Sequence, residues 1–289
     1  MATTLRIAQR CRVVVDNDWA GDPDGLVALA HHLLSPGHRV EAVTSSLLSP
    51  MFGPSEGGAA TGAALAAELI DLVAGPNRPP VHAGADTPFD RAGSVSGVGA
   101  PGSAAADAIV RAARRDDLLP LVVVCGGPLT NVATALRQDP GIADRMTLAW
   151  VGGSRTGAPE YNRDTDPAAA ELVLATPGLT RWTFPLETYR GCAWTVAQLE
   201  DTLAGCGELG AWLWQRFVRL PLPAGFEVDA VWPLGDSCPL IGTALSPESS
   251  AWVDEPDGSR TCTRVDDRLL FGDMVALFRR RARLAAGSA

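Results

Sequence analysis

Four aspartates lie within nine residues near the start of the chain: Asp16, Asp18, Asp22 and Asp24. Carboxylates held this close together repel one another unless protons or a cation compensate their charge. Calcium and other hard cations take oxygen ligands from carboxylates and backbone carbonyls. The cluster therefore favours a metal site. The competing interpretation is an acidic turn in which Asp22 or Asp24 caps the next helix, which explains one aspartate well and four poorly.

The cluster sits between a predicted buried strand and a predicted helix, and the same alternation continues along the chain. Strands are predicted at residues 12–15, 40–44, 118–124, 146–151 and 179–185, and helices at 26–34, 62–74, 104–115, 129–137 and 166–175. A helical region at 196–220, a hairpin at 254–270 and a helix at 274–284 follow. This spacing predicts right-handed βαβ units and a mainly parallel sheet. We expect one α/β domain over residues 1–289.

Three polar segments follow predicted strands, at residues 16–24, 125–131 and 152–162. Ligands of parallel α/β sheets bind beyond the carboxyl ends of the strands, so these segments should meet in one crevice, which the 196–220 region could cap. The turn at Gly126 would leave backbone carbonyls free, and Glu160 and Asn162 could bind sugar hydroxyls. Asp236, read alone, would be a helix cap. Each signal is weak by itself, because polar loops of this kind are common.

Composition excludes several classes of protein. The net charge of −9 and the pI of about 4.9 argue against a broad basic face for nucleic acid, and they fit a carboxylate site as well as simple solubility. The six cysteines are scattered and only four histidines occur, so a structural zinc site is not expected. No apolar run reaches ~18 residues, and the first twelve residues lack the apolar core of a signal peptide. We expect a cytoplasmic protein with reduced thiols.

Taken in order, four motifs make the chain resemble the inosine–uridine-preferring nucleoside hydrolase family. They are the Asp-x-Asp cluster, Gly-Pro-Leu-Thr-Asn, Glu-Tyr-Asn followed by Asp-Pro-Ala-Ala, and the late aspartate Asp236. The resemblance runs from about Arg12 to the C-terminal hairpin, which is nearly the whole chain. It implies a doubly wound α/β sheet with helices on both faces and hydrolysis of the N-glycosidic bond of a ribonucleoside or related ribosyl compound.

The resemblance also implies a single calcium ion that holds the catalytic water and the ribose 2′- and 3′-hydroxyls. Asp18 would be a metal ligand and the base that takes the water proton. The second carboxylate ligand would be Asp22 or Asp24, with Asp24 favoured because it is nearest the helix start, and the other of the two would bind a ribose hydroxyl. The chain has one more residue here than the usual Asp-Pro-Gly-x-Asp-Asp spacing. The Gly126 carbonyl and Asp236 would be further metal ligands. Asp16 would support the metal shell and belong to the substrate-binding group. Glu160 and Asn162 would bind the ribose.

The chain departs from the family pattern at the end of the site that faces the leaving group. Several members carry a histidine directly before the late aspartate, as the acid that helps the base leave, and this chain has Gly235 there. The usual Gly-Asn is replaced by residues 45–50, and the His-Gly segment expected near 94–102 is absent. We therefore expect an altered base preference, with the base stacked on Trp232, Tyr161 or Trp19. Core packing is the competing interpretation for the tryptophans.

Other functions compete with this one. A non-catalytic, calcium-dependent nucleoside or sugar-binding protein is the main alternative, motivated by the missing histidine, and retention of Asp18 argues against it. A metal-dependent glycosyltransferase is another, but no basic phosphate-binding segment accompanies the Asp-x-Asp motif. We expect a small-molecule substrate, no nucleic acid or membrane partner, and a homodimer or homotetramer, as is usual in the family.

Overall fold

The architecture rests on a central, mainly parallel sheet. A computed structural model describes residues 5–73, 78–90, 103–220 and 227–287. Its strands are β1 (Arg12–Asn17), β2 (Arg39–Ser45), β3 (Val81–Ala83), β4 (Leu121–Cys125), β5 (Met146–Val151), β6 (Thr180–Phe184), β7 (Ala193–Thr195), β8 (Val231–Pro233), β9 (Ala251–Asp254) and β10 (Arg260–Arg264). Eight of them form one sheet in the order β3-β2-β1-β4-β5-β6-β10-β9, in which only the β10–β9 pair is antiparallel. The predicted sheet is confirmed.

Helices cover both faces of this sheet. They are α1 (Asp24–Leu34), α2 (Gly58–Val73), α3 (Ala104–Arg114), α4 (Thr130–Gln138), α5 (Tyr161–Thr165), α6 (Pro167–Leu174), α7 (Leu186–Tyr189), α8 (Val196–Ala204), α9 (Gly207–Val218), α10 (Leu240–Thr243) and α11 (Asp267–Ala286). Successive side chains of a strand point to opposite faces. Val13 and Val15 accordingly pack in one core with α1, α2, α9 and α11, whereas Val14 packs in a second core with α3, α4 and α6. The doubly wound arrangement is thereby confirmed.

Local sequence explains where several helices begin. Ser103 precedes α3, and its hydroxyl accepts a hydrogen bond from the Ala106 amide at 3.2 Å. Asp166 does the same for α6, accepting from the Ala169 amide at 3.1 Å, with Pro167 in the first turn as predicted. No helix within the described ranges combines the length and apolarity needed to span a membrane.

Some predicted boundaries are displaced. β4 begins at Leu121 and not at Leu118, which is fully exposed and separated from the strand by Pro120. α1 begins at Asp24, two residues before the predicted start, so that Asp24 lies in its first turn. β7 and β8 pair with each other in a separate antiparallel sheet that three-residue strands could not reveal by periodicity. Residues 94–102, where the family pattern carries a His-Gly segment, lie outside the described residues.

Candidate active site

Asp18 lies just beyond the carboxyl end of β1, where the chain turns towards α1. A hydrogen bond from the Gly21 amide to the Asp18 carbonyl closes the turn at 2.7 Å. The Asp18 carboxylate accepts a hydrogen bond from the Tyr161 hydroxyl, also at 2.7 Å. Burial raises the pKa of Asp18 well above its usual range; the bond from Tyr161 opposes this rise, and the charges of Asp236 and Asp22 add to it. A buried carboxylate of raised pKa is suited to accept a proton from a reacting group.

Three further aspartates form a hydrogen-bonded group beside Asp18. The Asp24 carboxylate accepts a bond from the Asp236 amide at 3.1 Å. The Asp22 carboxylate accepts one from the Asp24 amide at 3.2 Å and one from the Trp232 indole N–H at 2.9 Å. Burial raises the pKa of Asp22 to about 6 and that of Asp236 to about 7. Burial and repulsion from Asp236 and Asp22 raise the pKa of Asp24. Residues far apart in the chain thus form one acidic cluster.

Gly126, which follows β4, lets the backbone approach this cluster. A Cβ atom at Gly126 would lie 2.5 Å from Asn17 Nδ2 and 2.8 Å from Asp236 Cγ, closer than such atoms can come. A Cβ at Gly127 would lie 3.0 Å from the Asp18 amide nitrogen. The turn therefore needs glycine because it packs directly against the aspartates, with no positive φ involved at Gly126 or Gly127.

Asn162 links the Gly126 turn to the end of β5. Its side-chain amide donates to the Gly126 carbonyl at 2.7 Å and to the Val151 carbonyl at 2.8 Å. Both contacts are to acceptors, which fixes the orientation of the amide. The Asn162 Oδ1 atom is buried and has no hydrogen-bond partner. An unpaired buried acceptor costs free energy unless a ligand or water satisfies it, so this atom points to a bound group.

Glu160 is 2% exposed and its carboxylate is saturated by donors of the protein. It begins α5 by accepting from the Asn162 amide at 3.1 Å and the Arg163 amide at 3.0 Å. It also accepts from the Gly153 amide at 2.7 Å and the Tyr189 hydroxyl at 3.0 Å. These contacts make Glu160 the residue that fixes the loop after β5.

Asn17 is a site residue that the sequence reasoning missed. Its side-chain amide donates to the Asp236 carboxylate at 2.8 Å, and its Oδ1 accepts from the Asp18 amide at 2.8 Å. One asparagine therefore holds two members of the acidic cluster. The available signal was an amide side chain in the middle of the Asp-x-Asp motif.

Asp16 lies beneath the cluster. Its carboxylate accepts hydrogen bonds from Thr44 at 2.6 Å, Asn131 at 2.8 Å and the Cys125 thiol at 3.4 Å. Burial raises its pKa to about 6. Asp16 thus ties β1 to β2, β4 and α4 below the site, and it does not reach the cavity wall.

The aromatic candidates have different surroundings. Trp19 is 1% exposed, packs in the core and donates its indole N–H to the Thr44 carbonyl. Trp232 is half-buried, donates to Asp22 and packs edge-on against Phe217, without lining the cavity. Tyr161 lines the cavity. Only Tyr161, of the three, presents its side chain to a ligand.

A cavity of about 210 Å³ collects these groups. Its walls consist of Asp18, Asp22, Asp24, Gly126, Val151, Glu160, Tyr161, Asn162, Tyr189, Arg190, Pro233, Gly235 and Asp236. The three loops that follow strands therefore converge as predicted. α8 and α9 are helical as expected, but no described residue of 196–220 lines the cavity.

The residues fit a hard cation by the chemistry of their donors. Asp18, Asp22, Asp24 and Asp236 supply oxygen, and none of them owes its pKa to a neighbouring basic group. The Gly126 carbonyl accepts from Asn162 and keeps a second lone pair. Over the described ranges, no three His, Cys, Asp or Glu side chains already have the spacing of a complete metal site. A buried acidic cluster that lacks a basic partner is the environment in which a divalent cation offsets carboxylate repulsion.

Fold and cavity together define an α/β protein whose small-molecule site lies at the carboxyl ends of parallel strands and is rich in carboxylates. The chain belongs to the inosine-uridine preferring nucleoside hydrolase family, whose model matches residues 13–268. The predicted family, and with it the predicted class of N-glycosidic bond hydrolases, is confirmed.

Solved structures of nucleoside hydrolases share the fold. An inosine-guanosine nucleoside hydrolase superposes with a TM-score of 0.70 at 19% identity, over 92% of this chain and 98% of that chain. A purine-preferring ribonucleoside hydrolase from Gardnerella vaginalis gives 0.68 at 18% identity, over 94% and 99%. An inosine-uridine preferring nucleoside hydrolase from Bacillus anthracis gives 0.65 at 19% identity, over 93% and 99%.

Among curated proteins, the chain is 39% identical over 66 residues to an uncharacterized protein of Schizosaccharomyces pombe. The match spans 21% of this chain and 20% of that protein, about a fifth of its length. It adds a sequence relationship but no substrate.

Proposed function

We propose that the chain hydrolyses the N-glycosidic bond of a ribonucleoside or a related ribosyl compound in a calcium-dependent reaction. The observation that carries the proposal is the group of four aspartates, two buried and two half-buried, on one cavity of a nucleoside hydrolase fold. Cleavage of this bond builds positive charge on the sugar, which becomes oxocarbenium-like. Fixed carboxylates in a partly water-excluded cavity stabilise that charge more than water does.

Calcium, when bound, lowers the pKa of the water that it holds. The proposed ligands are the carboxylates of Asp18 and Asp236, one of Asp24 and Asp22, and the carbonyl of Gly126. The contacts favour Asp24 over Asp22 as the second carboxylate ligand. One oxygen of Asp22 already accepts two hydrogen bonds, whereas the Asp24 carboxylate directly contacts Asp236.

Asp18 is the proposed general base. The bond from Tyr161 orients its carboxylate, and burial raises its affinity for a proton. As the water oxygen bonds to the anomeric carbon, the water proton passes to Asp18, and the electron pair of the glycosidic bond leaves with the base.

The hydrogen bonds of the two proposed ribose-binding residues, Asn162 and Glu160, indicate different roles for them. Asn162 has a buried oxygen without a partner, and a sugar hydroxyl is a donor that would satisfy it. The four donors to Glu160 use both of its carboxylate oxygens. Asn162 is thus the direct ribose ligand in this proposal, and Glu160 places the loop. Asp16 is proposed to support the site from below.

A calcium-dependent nucleoside or sugar binder is the second candidate, favoured by one observation. Gly235 stands before Asp236, and no histidine is among the described residues that line the cavity. The homo-oligomeric state and the cytoplasmic location stay predictions.

The test is to incubate the protein with calcium and a panel of purine and pyrimidine ribonucleosides and to measure released reducing sugar, with and without chelator. Chelator-sensitive release that is lost in Asp18→Ala and kept in Asp201→Ala, an exposed aspartate of α8, supports the hydrolase. Calcium-dependent binding of nucleosides without any release supports the binder and rejects the hydrolase.

A further inference from the structure

Arg190 is the sole basic residue among the described residues that line the cavity. It follows α7 directly, and its backbone amide caps that helix by bonding to the Leu186 carbonyl at 3.2 Å. Its side chain is exposed and has no hydrogen bond or ion pair with any described residue, although acidic groups surround the cavity. The guanidinium is therefore free to bind a molecule that enters the cavity.

The charge changes of the proposed reaction identify what that partner is. When the C1′–N bond breaks, the sugar gains positive charge and the base gains the electron pair. The aspartates stabilise the sugar, but the same negative charges oppose the departure of an anionic base. An acid or a cation on the wall that faces the base would offset this repulsion.

No described side chain of the cavity other than Arg190 supplies such an acid or cation. His31, His32 and His38 are buried and do not line the cavity; His31 contacts Asp273, and His32 contacts His38. His82 lines a separate groove with Arg111.

The cavity tyrosines are also unsuited to act as acids. The Tyr161 and Tyr189 hydroxyls donate to the carboxylates of Asp18 and Glu160. Their protons are therefore already engaged by carboxylates of the protein.

The packing at Gly235 brings Tyr189, the residue before Arg190, against the residue before the late aspartate. A Cβ atom at Gly235 would lie 3.0 to 3.2 Å from the ring and Cβ of Tyr189. The Tyr189 ring therefore takes the room of a side chain at position 235. Arg190, the next residue in the chain, reaches the same cavity.

We propose that Arg190 stabilises the leaving base as an anion, by donating hydrogen bonds from its guanidinium to an oxygen or nitrogen of the base. This inference rests on the proposed function. Arginine stays protonated, so it supplies charge and not a proton. The water oxygen bonds to C1′, one water proton goes to Asp18, the C1′–N electron pair goes to the base, and the base anion takes its proton from solvent.

The test compares leaving groups that differ in their need for stabilisation. Wild type, Arg190→Ala and Arg190→Lys are assayed on the best natural ribonucleoside and on 4-nitrophenyl β-D-ribofuranoside, whose nitrophenolate leaves without help. Loss of a charged hydrogen bond costs about 1.5–3 kcal/mol, so Arg190→Ala should lower kcat on the nucleoside about 10- to 100-fold. On the nitrophenyl riboside, Arg190→Ala should lower kcat less than about 3-fold. Free guanidinium added to Arg190→Ala should restore part of its rate on the nucleoside.

Arg155→Ala is the matched control, since Arg155 is an exposed arginine outside the cavity lining. Equal losses on both substrates, or no loss on the nucleoside, would overturn the role of Arg190 while leaving the hydrolase proposal intact. If wild type cleaves neither substrate, the proposed function fails and this inference fails with it. A lysine that restores only part of the nucleoside rate agrees with the proposal, because its single ammonium keeps the charge but loses the fork geometry.

Discussion

Gly126→Ala is the substitution whose effect the geometry defines best. The added methyl would lie 2.5 Å from Asn17 Nδ2, 2.8 Å from Asp236 Cγ and 3.0 Å from Asp236 Oδ1. Asn17 Nδ2 is the donor of the hydrogen bond, 2.8 Å long, by which Asn17 holds the other carboxylate oxygen, Oδ2, of Asp236. The methyl therefore separates two groups that the site needs in contact.

The size of the effect follows from the groups displaced. Overpacking of a close-packed region costs about 1–3 kcal/mol of stability. A shift of about 1 Å in a catalytic arrangement costs on the order of 100-fold in rate. We expect Gly126→Ala to fold, to lose about 100-fold in kcat/KM and to bind calcium more weakly.

Gly272→Ala is the matched control for this variant. Gly272 lies on the exposed side of α11, and a Cβ there meets no atom within 4 Å. Alanine in place of a helical glycine should raise the free energy of unfolding by about 0.5–1 kcal/mol without touching activity. Both variants are compared by steady-state kinetics for kcat/KM, by titration calorimetry for calcium binding and by urea unfolding for stability. A folded Gly126→Ala protein with kcat/KM within a factor of about 3 of wild type would refute the reasoning.

Three other substitutions test single contacts. Tyr161→Phe removes the hydrogen bond to Asp18 and should lower kcat about 10-fold in steady-state assays; an unchanged kcat would mean that this bond does not orient the base. At position 232, substitution by Phe or by Ala should lower kcat/KM to the same extent, about 10-fold, because each removes the N–H that Trp232 donates to Asp22. A wild-type rate in Trp232→Phe would instead favour stacking of the base on the aromatic ring. Burial lowers the pKa of His38 from 6.5 to about 4, so below pH 6.5 the unfolded chain binds a proton that the folded chain refuses. The contribution of His38 to the free energy of unfolding should fall by about 3 kcal/mol between pH 6.5 and 4, so urea unfolding should show that wild type loses about that much more stability than His38→Gln over this range; equal pH dependence in the two proteins would show that His38 titrates normally.

The sheet and the acidic loop could be predicted because their signals are local. Apolar runs such as 146–151, bounded by polar residues, fix a buried strand, and the structure places β5 over the same residues. The four aspartates span the end of β1, the following loop and the first turn of α1, so they lie at one edge of the sheet. Parallel pairing then brings that loop beside the Gly126 turn and the Glu160 loop.

The rest of the site depends on contacts between residues distant in sequence. Asn17 and Asp236 are 219 positions apart, so nothing local shows that one amide holds the late aspartate. Glu160 has the composition of a sugar ligand, but the fold gives its carboxylate four protein donors. Arg190 gives no signal in the sequence because a lone arginine belongs to no motif, and only the cavity that it lines indicates a role.

Calcium titration of chelator-treated protein, with bound calcium and nucleoside hydrolysis measured on the same samples, tests the central claim most directly. We expect hydrolysis to rise in step with the binding of a single calcium ion per chain, and Asp236→Asn to shift both curves to higher calcium together. Full hydrolysis in calcium-free protein, or an Asp236→Asn variant that binds calcium and turns over like wild type, would contradict it.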